Sequence, residues 1–339
     1  MRRDRRDVEV LGGGRSLGPR KLTGLAQNLD GSPRGLTLRR RLQRLQRLGI
    51  LKRLSGAHVL DTFSPTFTAS SKMSSVQLPI RRGFAETLRR DAWWVQPAIV
   101  LAVLTAFLIY ATWAAFQNAN YIYDPYLSPF YSPVIFGDPE HAWFGPRPGW
   151  WPGWLPFSPA LIILPFPALF RFTCYYYRGA YYKAFWADPP ACSVGEPRKS
   201  YRGEKKLPLV LQNVHRYFLY IALIFLGILL YDVYKALWFI NEATGARQFG
   251  IGVGTLVLAL NVFLLGGYTF GCHSLRHLVG GYLDRLSGAP VRRTAYSCVT
   301  CLNRRHMRWA WLSLIGVAFA DIYVRLCATG VWTDWRLIF

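Results

Sequence analysis

Acidic side chains are scarce in this chain. Of its 339 residues, 18 are Asp or Glu and 41 are Lys or Arg, a formal net charge of +23. An ordinary soluble domain is excluded by that imbalance, because 52% of the residues are hydrophobic and 16% aromatic. Nucleic-acid binding is excluded too, since the apolar residues come in runs too long for a soluble basic domain. No flavin or nucleotide motif is present, and the polar connections are too short to hold a domain that would carry one. Residues 1–72 lack the apolar stretch and small-residue cleavage site of a secretory signal.

What the chain has is apolar runs of membrane-spanning length, about 20 residues for a helix. Five are expected, near 95–116, 158–177, 209–231, 250–271 and 309–329. The first contains no charge. The second carries Pro165 and Pro167 and is expected to bend. The fold expected is an all-α integral membrane protein, a bundle of five transmembrane helices within residues 95–339.

Loop charge gives an orientation. Arg178, Lys183, Arg198, Lys199, Arg202, Lys205 and Lys206 lie between the second and third runs. Arg276, Arg285, Arg292, Arg293, Arg304, Arg305 and Arg308 lie between the fourth and fifth. The opposite connections hold Arg147, then Lys235 and Arg247. The positive-inside rule puts the N-terminus in the cytoplasm and the C-terminus outside.

Residues 1–72 form a separate basic extension, expected to be disordered. Within it, residues 38–48 have the pattern of a basic amphipathic helix for an anionic leaflet. Residues 73–94 read as a cytoplasmic leader, with Met73 the expected natural start and Trp93 and Trp94 at the interface. Residues 118–157, rich in Trp, Tyr and Pro, are expected to cap the outer surface, with His141 solvated there.

Threading the chain through a bilayer brings Cys174, Cys192, His215, Cys272, His273 and His277 to the cytoplasmic edge. His306, Cys298 and Cys301 fall on that same side, and Cys327 lies near the outer end. A His inside a span is a functional candidate. Cysteines facing the cytoplasm do not point to structural disulfides. Two cofactors suit the six residues as metal ligands. Haem b needs two axial imidazoles, from His215 with His273 or His277; a Rieske-type [2Fe–2S] cluster needs two thiolates and two imidazoles. The C-x-H and C-x-x-H spacing of soluble Rieske domains is absent. Tyr175, Arg216, Tyr217, Ser274, Arg276 and Trp309, at the same depth, are candidates for holding a quinone ring. Asp321 and Arg325 are four apart on the fifth run and are expected to pair. The competing readings are a haem b subunit of another quinone-linked dehydrogenase and a cofactor-free transporter or structural membrane protein.

Three stretches carry a resemblance. They are CYYYRGAYYKAFWADPPACSVGEPRKSYRGEKKLPLVLQNVHRYFLY, GCHSLRHLVGG and LNRRHMRWAWLSLIGVAFADIYVRLCATGVWTDWRLI. Over roughly residues 80–339 the chain resembles five-span membrane anchors of succinate dehydrogenase and fumarate reductase. That resemblance implies a multi-pass protein of a prokaryotic plasma membrane. It implies docking of an iron–sulfur and a flavoprotein subunit at the inner face, and electron transfer to a quinone, menaquinone by expectation. It further implies a redox centre in the membrane subunit. The cysteines at 174, 192 and 272 favour the Rieske-type cluster over haem b, and the four intramembrane His of two-haem anchors are missing.

Overall fold

A computed structural model describes residues 83–137, 141–197, 207, 209–241, 244–281 and 285–339. These belong to the second of two units, Pro79–Phe339. The expectations for the extension, the basic helix at 38–48 and the start at Met73, lie outside the described residues.

Four helices are long and apolar enough to cross a membrane: Val95–Gln117, Val210–Lys235 with its 3-10 first turn, Val253–Phe270 and His306–Ala328. We call them α1 (Val95–Gln117), α5 (His215–Lys235), α6 (Val253–Phe270) and α9 (His306–Ala328). The remaining apolar run is broken into α2 (Pro159–Ile163), α3 (Pro165–Phe172) and α4 (Tyr175–Phe185). The pair Pro159–Phe172 and Tyr175–Phe185 is bent by 86°, and counting it as one span gives five. The sharp bend was expected at the prolines. It falls instead at Thr173 and Cys174, where Cys174 has extended backbone angles (φ −65°, ψ 129°). Pro165 opens α3, where a missing N–H does no harm. Two short helices, α7 (His273–Gly280) and α8 (Pro290–Asn303), complete the helical set among the described residues.

The chain is not purely helical. A hairpin, β1 (Ile122–Tyr123) with β2 (Tyr126–Leu127), follows α1. A three-stranded antiparallel sheet, β3 (Trp238–Ile240), β4 (Arg247–Gly252) and β5 (Arg336–Ile338), joins the chain between α5 and α6 to its C-terminus. Its register pairs Trp238 with Phe249 and Ile251 with Leu337. Hydropathy runs do not reveal strands of two to six residues. The bundle therefore has a sheet end, where α1, α5 and α9 finish, and a second end, where α5 and α9 begin.

Helices α6 and α9 pack most closely. A side chain at Gly267 would meet the Trp309 ring at 2.5 Å, and one at Gly316 would meet Leu264 at 2.8 Å. Small residues let membrane helices approach in this way. Leu108, Ile109, Ile224, Leu256, Phe263 and Ile315 point outward. Water would not tolerate so much apolar surface, and acyl chains would.

The Trp/Tyr/Pro loop is not a simple surface cap. Tyr121, Tyr126, Phe130, Tyr131 and Val134 are buried and make much of two core clusters. Trp143, Trp150 and Trp154 remain exposed, as an interfacial cap requires.

Candidate functional site

Two cysteines occupy equivalent joints. Cys174 precedes α4 where α3 ends, and Cys272 precedes α7 just after α6. Both have extended backbone angles, φ −65° and φ −66°, and both are buried. Two histidines occupy equivalent starts: His215 is the first residue of α5 and His306 the first of α9. Two thiols and two imidazoles thus stand at helix starts and at the joints between helices.

The contacts are direct. The His215 Nε2 atom lies 3.1 Å from the Cys272 sulfur, and His306 Nε2 lies 3.5 Å from the Cys174 sulfur. The Thr173 hydroxyl donates to the Leu169 carbonyl at 2.7 Å and stands 2.9 Å from His215 Nδ1. With its proton so engaged, that hydroxyl accepts from Nδ1–H, which leaves Nε2 of His215 as the free donor atom for a ligand. His306 Nδ1 is enclosed and has no hydrogen-bond partner. The Phe170 ring stacks on His215 at 4.7 Å and the Tyr268 ring on His306 at 5.0 Å. Burial pushes the Cys272 thiol up to about 11, against the pull of the Ser274 and Leu275 backbone N–H groups. A cation is what would make it a thiolate at neutral pH, with release of a proton.

Four donors in this ratio, two thiols and two imidazoles, match a Rieske-type cluster in chemistry. Among the described residues no three such groups are placed to hold a single metal ion. A Rieske-type cluster asks two thiolates on one iron and two imidazoles on the other. The Cys–His contacts join groups that such a cluster would put on different irons, so both contacts must open to admit it.

The structure brings Cys174, His215 and Cys272 together and leaves three expected ligands aside. Cys192 is exposed on the connection after α4, where its carbonyl accepts from Arg89 at 3.0 Å. That connection is strapped to the leader, with Gly195 N–H donating to Glu86 at 3.0 Å. His273 and His277 lie one turn apart on the exposed face of α7 and meet each other at 2.9 Å. Burial, then His277 and Arg276, lower the pKa of His273. Leu275 takes the buried face of that helix. His306, at the Cys174 sulfur, is the second imidazole beside these thiols. Its signal was in the sequence, since it opens the fifth apolar run at the right edge.

The quinone candidates scatter. Tyr175, Arg216 and Tyr217 are exposed. Ser274 is half-buried, and Arg276 donates to Thr300 and lies 5.0 Å over Tyr296. Trp309 packs on Phe263, with its indole N–H enclosed and unpaired. Sequence reasoning missed Arg171 on α3. It donates to Tyr177 at 2.7 Å and to Ser313 at 3.0 Å, and sits 4.7 Å over the Tyr268 ring. An arginine inside an apolar run was the available signal. Arg171, Phe170 and Tyr268 also line a cavity of about 370 Å³ between α1, α2, α3, α5, α6 and α9. Its walls are mainly apolar, and its far end reaches Pro129, Phe130 and Ser132 near the sheet end.

A family model described as "Actinobacterial succinate dehydrogenase subunit SdhC" matches residues 95–330. Among solved structures, a chain of the "Mycobacterium smegmatis Sdh1 complex in the apo form" is similar, with 42% identity and a TM-score of 0.68. The match covers 77% of this chain and 98% of that one. No curated protein matches. The long apolar helices and these matches agree, and the chain belongs to the actinobacterial SdhC family of succinate dehydrogenase membrane-anchor subunits.

Proposed function

We propose that this chain holds a Rieske-type [2Fe–2S] cluster through Cys174, Cys272, His215 and His306 and links succinate oxidation to a quinone, menaquinone by expectation. The observation that carries the reading is the pair of Cys–His contacts, Cys272 with His215 and Cys174 with His306, made at four separate helix termini. Bound there, the cluster supplies a one-electron relay. The chain's own residues do the rest. Thr173 orients His215, and Phe170 and Tyr268 wall the donors off from water. Arg171 sets a positive charge between the donors and the cavity, where a quinone ring would sit.

Lys183, Arg216, Arg285, Arg293, Arg304, Arg305 and Arg308 are exposed on the elements flanking the Cys/His group. They suit the cytoplasmic side of a multi-pass plasma-membrane protein. They also suit docking of the acidic faces of an iron–sulfur subunit that is joined to a flavoprotein. Haem b is less well supported. His273 and His277 face outward, and the rings of His215 and His306 are stacked on Phe170 and Tyr268.

Iron and acid-labile sulfide in the purified complex, together with optical and low-temperature paramagnetic resonance spectra, test this reading. The expected result is a reduced [2Fe–2S] signal in excess of what the soluble subunits account for, with no sharp haem α band. A haem band without that signal would replace the cluster by haem, and neither signature would end the redox reading.

A further inference from the structure

Three carboxylates are buried towards the sheet end, and each takes a hydroxyl from the Trp/Tyr/Pro loop or its hairpin. Tyr126 donates to Asp334, Ser128 to Asp321 and Ser132 to Asp232. As loop anchors the three look alike, but their second partners separate them. Asp321 pairs with Arg325 at 2.8 Å, and that guanidinium is itself enclosed and donates to the Ala114 and Ala119 carbonyls. Asp334 receives the Gly254 N–H and the Tyr323 hydroxyl and pairs with Arg336. Guanidinium groups do not give up protons in proteins, and neither site touches the cavity.

Asp232 differs on both counts. Its Oδ2 atom accepts from Ser132, which is fully buried and lines the cavity. Its Oδ1 atom lies 3.2 Å from the Lys235 ammonium, whose side chain is 43% exposed at the end of α5. One carboxylate thus has one oxygen bonded to a serine of the cavity lining and the other at a solvent-facing ammonium. The charged group facing Asp232 is Lys235, from its own helix, and the group facing it from the loop is Ser132.

We propose that Lys235, Asp232 and Ser132 form the proton route between the quinone cavity and the aqueous phase at the sheet end. The proposal rests on the quinone reading of the cavity. Reduction of a quinone needs two electrons, supplied by succinate through the soluble subunits, and two protons. Each proton enters at Asp232 beside Lys235 and passes from the carboxyl to Ser132 Oγ. The hydroxyl proton of Ser132 goes in turn to the quinone oxygen. Succinate releases two protons on the opposite side as it becomes fumarate, so the sum balances and charge moves across the bilayer.

The whole complex in liposomes tests this, with the soluble subunits facing out, a short-chain naphthoquinone as acceptor and a pH dye trapped inside. Succinate is expected to make the lumen more alkaline, by up to two protons per succinate. Asp232→Asn keeps the size of the side chain and a carbonyl for Ser132, so loop anchoring survives while proton carriage does not. Quinone turnover is expected to fall at least about tenfold, with succinate oxidation by a soluble dye unchanged, and Asp232→Glu is expected to restore turnover. A lumen that stays at constant pH during turnover by the unaltered complex would overturn the route. So would an Asp232→Asn complex that reduces quinone at the full rate. If the unaltered complex reduced dye but no quinone, the underlying reading would fail and the route with it.

Discussion

At the sheet end, Asp232, Asp321 and Asp334 are enclosed, and each meets a cation and a hydroxyl. At the other end, two thiols and two imidazoles meet mainly one another, His306 Nδ1 is unpaired, and Trp309 nearby keeps an unpaired N–H. Burying polar groups costs several kcal/mol unless they are satisfied. A satisfied network such as Asp321 with Arg325, Ser128 and Tyr110 holds a loop in place. Two thiols and two imidazoles that meet mainly one another, with one ring nitrogen unpaired, are what a metal cluster would complete.

The largest effect should come from removing a thiol. Cys272→Ser is expected to abolish quinone reduction and leave dye-linked succinate oxidation intact, measured on the assembled complex. If both activities fell together, the residue would serve assembly instead. At the sheet end the expected penalty is one of stability. Asp321→Ala leaves Arg325 buried without its counter-charge, a loss on the order of 3–5 kcal/mol, visible as a lower midpoint of thermal unfolding in detergent. An unchanged midpoint would mean that the pair does not hold the loop.

Between the two ends lies the α6–α9 contact. Gly267→Ala pushes a methyl against Trp309 and is expected to cost about 1–3 kcal/mol, read in the same unfolding assay, with the cluster signal only broadened. The smallest effect belongs to the exposed cysteine of the expected ligand set. Cys192→Ser should leave iron content, spectrum and turnover unchanged, and loss of the cluster would restore that residue to the site.

The apolar runs made the long helices legible, because hydropathy needs no partner to be read. Cys174, His215 and Cys272 were legible as well, since loop charge fixed one common depth for them. Depth alone could not separate His306 from His273 and His277. That distinction depends on which way a side chain leaves a short helix, and so on the break between α6 and α7 at Gly271 and Cys272. The buried hydroxyl contacts of Tyr126, Ser128 and Ser132 were illegible, because they join residues 100 to 208 positions apart through a loop without periodicity. Arg171 stood in view as a charge inside an apolar run and Asp232 as one just past the end of another, but their place beside the cavity between helices is something no pattern encodes.

The most direct measurement compares His306→Ala with the double variant His273→Ala, His277→Ala, by iron content and low-temperature paramagnetic resonance of the dithionite-reduced complex. The expected result is loss of the membrane-subunit [2Fe–2S] signal in His306→Ala and its retention in the double variant. Retention in the first with loss in the second would contradict the donor set and return the site to the exposed face of α7.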